Sequence, residues 1–263
     1  MAVAADLGFM GIDVGVFGDD SHVKLSAILQ DPVAEAARVR RAAQAAGLAV
    51  ADVFLIPSSD LEEMAPNHPD PIVRKASFEL YRKTIEFACA LGAPGVTLLP
   101  GVCFAADTVE DAITRAAEAL ARRVELASSF GLGLSVEGHT GSCVETPEHF
   151  AELLKQTPGL GATLDPGHYA YGGFTVSDLT PLLSRTRHVQ VRPCGPGLMQ
   201  GRLPDNEFDL ESFLEDLKSA DYSGWIATEF VWMEKWSCDR VDNTSETARL
   251  KRYLTEIGQR IGL

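Results

Sequence analysis

Seven short apolar runs punctuate the chain, at about 9–16, 49–56, 95–100, 132–137, 160–165, 187–192 and 225–230, with helix-like stretches between them. Runs of this length without polar alternation read as strands covered on both faces. Strand and helix in regular alternation give a parallel sheet with helical crossovers. The helical stretches carry their own stop signals: Asp31–Ala46 is followed by Gly47, Pro71–Leu91 by Gly92 and Thr108–Phe130 by Gly131. Further helices are expected over 146–156, 180–184, 209–220 and 245–261, and the polar, proline-rich 58–71 reads as a long loop.

A (β/α) barrel takes about 250 residues, and this chain has 263 with no composition shift that would mark a boundary. One barrel domain over 1–263 is therefore expected. A complete barrel has eight strands. The opening AVAADLG, closed by Gly8, reads as the end of a helix whose strand is missing. The expected fold is thus a TIM-type (β/α) barrel that is incomplete, with seven recognisable strands. A doubly wound open sheet would carry a glycine-rich phosphate loop after its first strand, and FMGIDVGVFGDD lacks that spacing. An open seam exposes a strand edge and apolar core that a helix or a partner would cover, and a homo-oligomer is expected.

Charge narrows the function classes. A net charge of −14 argues against a nucleic-acid partner and against an anionic membrane surface. No apolar run approaches the ~20 residues of a membrane span, and MAVAADLGFMG lacks the basic start of a signal peptide. Five scattered cysteines without a C-x-x-C pair fit reduced thiols, so a cytoplasmic location is expected.

The chemistry concentrates where the apolar runs stop. Leu132–Val136 runs into Glu137, with His139 two residues on; Leu160–Leu164 runs into Asp165, with His168 three residues on. RHVQVRP brings Gln190 and Arg192, and GWIATEF ends in Glu229. Strand ends of a barrel converge on one mouth. Three carboxylates crowded there repel unless their pKa values rise or a divalent cation joins them. An oxygen-rich set suits Mn²⁺ or Mg²⁺ better than a soft-ligand zinc site. Read singly, Glu137 and Asp165 could instead cap helices or pair with arginine, and Asp13 and His188 read as structural.

As a set, SVEGHTGS, TPEHFAELLKQTPGLGATLDPGHYAYGG, RHVQVRP and GWIATEFVW resemble the sugar phosphate isomerase/epimerase superfamily, the xylose isomerase-like TIM barrels. The resemblance runs from Gly8 onward and implies a metal held by a Glu, an Asp, a His and a Glu at four successive strand ends. Glu137, Asp165 and Glu229 match three of these. The fourth departs from the family's H-x-H: His188-Val-Gln190 puts Gln190 there, a neutral oxygen donor. Mn²⁺ or Mg²⁺ is the implied ion, with Zn²⁺ or Co²⁺ as alternatives. The resemblance further implies a sugar isomerase or epimerase in which Glu137 and Glu229 move a proton through a metal-stabilised enediolate. His168 would then orient substrate or ligate, and Arg192 would hold a hydroxyl or a phosphate. Read from their places in the chain, His139 is a further substrate contact, Trp232 and Trp236 just past Glu229 would form an apolar wall, and Gln200 would reach in from a lid, GPGLMQGRL. A lyase or dehydratase acting on a keto-sugar or inosose, and a non-catalytic barrel subunit, are the alternatives. A DNA-repair endonuclease of the same superfamily would need more than six histidines and a basic face.

Overall fold

The computed structural model describes residues 1–262. Seven strands form one parallel sheet in sequence order: β1 (Gly11–Phe17), β2 (Ala49–Ile56), β3 (Gly95–Leu98), β4 (Gly133–Glu137), β5 (Gly161–Leu164), β6 (Thr186–Val191) and β7 (Ile226–Thr228). The helices are α1 (Ala2–Asp6), α2 (Leu25–Gln30), α3 (Pro32–Ala45), α4 (Pro71–Leu91), α5 (Val109–Ser129), α6 (Pro147–Gln156), α7 (Pro166–Tyr171), α8 (Val176–Leu179), α9 (Leu210–Ser219) and α10 (Asn243–Ile261). Each apolar run became a strand, and α1 precedes β1.

Local chemistry sets the helix limits. Asp70 accepts the Ile72 N–H at 2.8 Å ahead of Pro71, and Gly92 ends α4 in the left-handed region at φ 85°. Thr108 caps α5 by accepting the Asp111 N–H at 3.1 Å. Three helices were not legible in advance: α2, α7 and α8 span 4–6 residues, too short to show a period. The stretch expected as a helix over 180–184 is a 3₁₀ turn, Thr180–Arg185.

Contacts divide the chain into two compact units. The first comprises Met1–Glu137, Gly141–Val144 and Glu152–Gly161. Its β1–β4 are parallel neighbours, with Val53 opposite Val96 and Leu98 opposite Val136. The buried faces of α4 and α5 cover these strands with Ile85, Phe87, Ile113 and Leu120. A polar row crosses this apolar core: Thr97 donates to Asp52 and lies 3.3 Å from the Ser135 hydroxyl.

The second unit comprises Gly138–Thr140, Glu145–Ala151 and Ala162–Leu263. Here β5, β6 and β7 pair in parallel, with Leu164 opposite Val189 and Val191 opposite Thr228. The Glu229 N–H donates to Val191 O at 2.9 Å and carries the ladder one step past β7. Asp165 and Glu229 therefore each follow directly on the last residue of a strand, where the apolar run had to stop.

Candidate functional site

Asp165 is fully buried and plays two visible parts. Its Oδ1 accepts the Gly167 N–H at 2.8 Å, which caps α7, and its Oδ2 accepts from Arg192 Nη2. The same Nη2 donates to Glu229 Oε2 at 2.6 Å. One guanidinium thus draws together two strand-end carboxylates that would otherwise repel. Capping and arginine pairing, the structural alternatives for Asp165, are both present. Arg192 is 3% exposed, so solvation of its charge by bulk water is excluded. Gln190, two residues earlier on β6, is buried, as is His188.

The rings of His139 and His168 lie with centroids 4.1 Å apart, tilted 44° to each other. Their partners fix opposite tautomers. The Thr140 N–H can only donate, so His168 Nδ1 accepts it at 3.3 Å and the proton of the neutral ring sits on Nε2. His168 Nε2 lies 3.6 Å from Asp165 Oδ2. The Thr140 carbonyl can only accept, so His139 Nδ1 carries the proton at 2.6 Å and Nε2 is the acceptor nitrogen. Burial pushes His139 down to about 4 and His168 well below the usual imidazole range, so both rings are neutral at pH 7.

Two glycines are dictated by this packing. A Cβ on Gly138 would meet the Tyr169 hydroxyl at 1.7 Å. One on Gly167 would meet Asp165 Oδ1 at 3.0 Å and the Arg192 chain at 3.3 Å. The E-G-H and D-P-G-H patterns therefore carry a steric requirement as well as ligand types.

Two expectations need correction. Trp232 is 72% exposed, and the indole beside the histidines is that of Trp236, with centroids 5.7 Å from His139 and 6.0 Å from His168. The chain reverses through Trp236 (φ 59°) and Ser237 (φ 58°), both left-handed, and nothing in FVWMEKWSCD announces that turn. Gln200 does not reach into the cluster. It is buried, donating to Val231 O at 3.0 Å and Cys238 O at 2.8 Å, and accepting the Val231 N–H at 2.8 Å. Its amide ties down the segment that carries Trp236. Thr140 is the group sequence reasoning missed, because only a tertiary contact gives it a role. Glu137 is the last residue of β4, in the first unit, and is 2% exposed.

The parallel strands with their helical crossovers define a class, the TIM-type (β/α) barrels. The chain belongs to the xylose isomerase-like TIM barrel family, whose model matches residues 1–255. Among curated relatives, the rhizopine catabolism protein MocC of Rhizobium meliloti is 30% identical over 125 residues, covering 40% of this chain and only 38% of that protein. A D-tagatose 3-epimerase-like protein superposes with a TM-score of 0.76 at 20% identity, over 98% of this chain and 92% of that one. The IOLI protein, solved with a binding zinc atom, superposes with a TM-score of 0.75 at 15% identity, over 98% and 91%.

Proposed function

We propose that the protein is a divalent-metal-dependent sugar isomerase or epimerase. The observation that carries this reading is the convergence of Asp165 and Glu229 on a single positive charge. Two carboxylates gathered at strand ends need a cation, and here the guanidinium of Arg192 supplies one. Glu137, Asp165 and Glu229 would hold the ion, and Gln190 would add a neutral oxygen. This donor set would fit Mn²⁺ or Mg²⁺, and Arg192 would contact substrate. The epimerase and zinc-bound names among the structural relatives agree with a sugar substrate and a divalent ion.

When bound, the ion supplies positive charge against which a carbonyl-adjacent carbon becomes acidic. The chain's own groups do the rest. Glu229 and Glu137 take a proton from the carbon and return it, through an enediolate of the sugar. His168 offers its Nε2–H to a hydroxyl oxygen, while His139 Nε2 accepts a hydroxyl proton. Trp236 presents its ring to the C–H face of the sugar. Removal of the same proton followed by loss of a β-substituent would give a lyase instead.

Because Arg192 already pairs with two of the acids, a metal-free, non-catalytic barrel is the second reading. One experiment separates them. The protein stripped with EDTA and dialysed is assayed on a panel of ketoses in D₂O, with and without MnCl₂ or MgCl₂. Metal-dependent deuterium incorporation into recovered sugar is expected. Full activity after stripping would refute the metal requirement. No activity, together with no thermal shift on adding either ion, would favour the non-catalytic barrel.

A further inference from the structure

The first unit contains a buried charge that the proposed chemistry does not use. Arg123 lies on the core-facing row of α5 with Ala116 and Leu120, and is 3% exposed. Its Nη1 donates to Ala119 O at 3.0 Å and its Nη2 to Ser77 Oγ at 3.0 Å. The guanidinium carbon lies 5.5 Å from the Phe78 ring centroid and 5.7 Å from that of Tyr81. Among the described residues, no carboxylate lies within 4.0 Å of it. Burial lowers its pKa to about 10, which leaves it charged at neutral pH. Buried charges are ordinarily paired, because desolvation penalises a lone one. Ring faces and two neutral acceptors are a partial substitute.

This guanidinium forms part of the wall of a cleft that opens to solvent. Leu55, Leu80, Leu98 and Val102 give the cleft an apolar body, and Leu61 lines it from the 57–70 loop. None of the acid and imidazole residues described above lines it. A cleft with apolar walls and one buried cation matches a particular ligand shape. We propose that it binds a small monocarboxylic acid with an apolar body, the carboxylate received by Arg123 and the body by the leucines and valine. A guanidinium is a planar fork of five N–H donors, matched to a carboxylate's two oxygens. The bonds to Ala119 and Ser77 leave donors for such a partner. A phosphate, which wants more donors than one arginine and one serine provide, matches less well. Asp60, also on the wall, is exposed and accepts the Glu62 N–H at 3.0 Å. Solvent screens it, so it repels a singly charged acid only weakly.

The test uses the whole chain and two isosteric probes, benzoate and neutral benzamide, at pH 7.5. Affinities are measured by calorimetry, and saturation-transfer NMR reports whether the probe ring touches the protein. Benzoate is expected to bind wild type at least about tenfold more tightly than benzamide. That preference should disappear in Arg123→Met, and binding of both probes should fall in Leu61→Trp, which narrows the cleft and leaves Arg123 untouched. Absence of benzoate binding to wild type, equal affinity for the two probes, or undiminished binding in Leu61→Trp would each overturn the proposal. Should Arg123→Met fail to fold, the probe contrast and Leu61→Trp still decide the matter.

Discussion

A carboxylate with no solvent exposure keeps its charge only where donors and cations surround it. Asp165 has the Gly167 amide on one oxygen and the Arg192 guanidinium on the other. Removing one partner of a buried ion pair strands the other charge, at a cost of about 3–5 kcal/mol. Arg192→Met should therefore lower the urea midpoint substantially, and saturating MnCl₂ should recover much of the loss by supplying another cation. Equal midpoints for variant and wild type would show that the guanidinium contributes nothing net. The thiols give a second expectation at this scale. Burial pushes Cys143 up to about 12, whereas an unfolded thiol titrates near ~8.5. A raised folded value means the associated stability is fully present below about pH 8.5 and is lost as pH climbs from there toward 12. The stability gap between wild type and Cys143→Ala should narrow from pH 8 to pH 10, and parallel curves would refute the shift.

At the scale of elements, the segment from Val231 to Cys238 depends on one side chain. Gln200 bonds to the backbone of both ends, and Asn243 adds a donor to Val231 O at 3.1 Å. Between these ties, two consecutive non-glycine residues hold left-handed backbone, which costs roughly 1–2 kcal/mol each and persists only where surroundings enforce it. Gln200→Ala leaves the Val231 amide and the Cys238 carbonyl without this partner, with only Asn243 still on the Val231 carbonyl, and should cost about 1–3 kcal/mol. It should also expose 232–237 to limited proteolysis and raise KM more than it lowers kcat, because Trp236 loses its place. Unchanged cleavage would show that the segment holds itself. Which elements were legible beforehand follows from the range of their determinants. The limits of α4 are written locally, by Asp70-Pro71 at one end and Gly92 at the other. Gln200 could be seen as a functional amide in a glycine-rich loop, yet the carbonyls it finds lie 31 and 38 residues away. No local pattern encodes such a partner. The same holds for choosing Trp236 over Trp232, which requires the turn at 236–237.

Across the whole molecule, the order of strands was legible because buried parallel strands have to be continuously apolar, and the acids stood out by ending them. Assembly was only inferred, from the strand edge that an open seam would expose. The surface offers a more specific reason to expect it. Trp232, at 72% exposure, stands next to Met233, at 39%, on the segment that Gln200 ties down. A tryptophan held on a fixed backbone and open to water is the type of residue that anchors interfaces, since it buries a large area at little entropic cost. The chain also carries a net charge of −14, which opposes self-association except where an uncharged surface meets its copy. We therefore expect a homodimer that buries Trp232 and tightens as salt screens the like charges. Light scattering should return twice 28.3 kDa for wild type and 28.3 kDa for Trp232→Glu, with the variant's melting behaviour otherwise intact. A wild-type monomer at 0.5 M NaCl would remove the assembly. A dimer indifferent to Trp232→Glu would move the interface to another face.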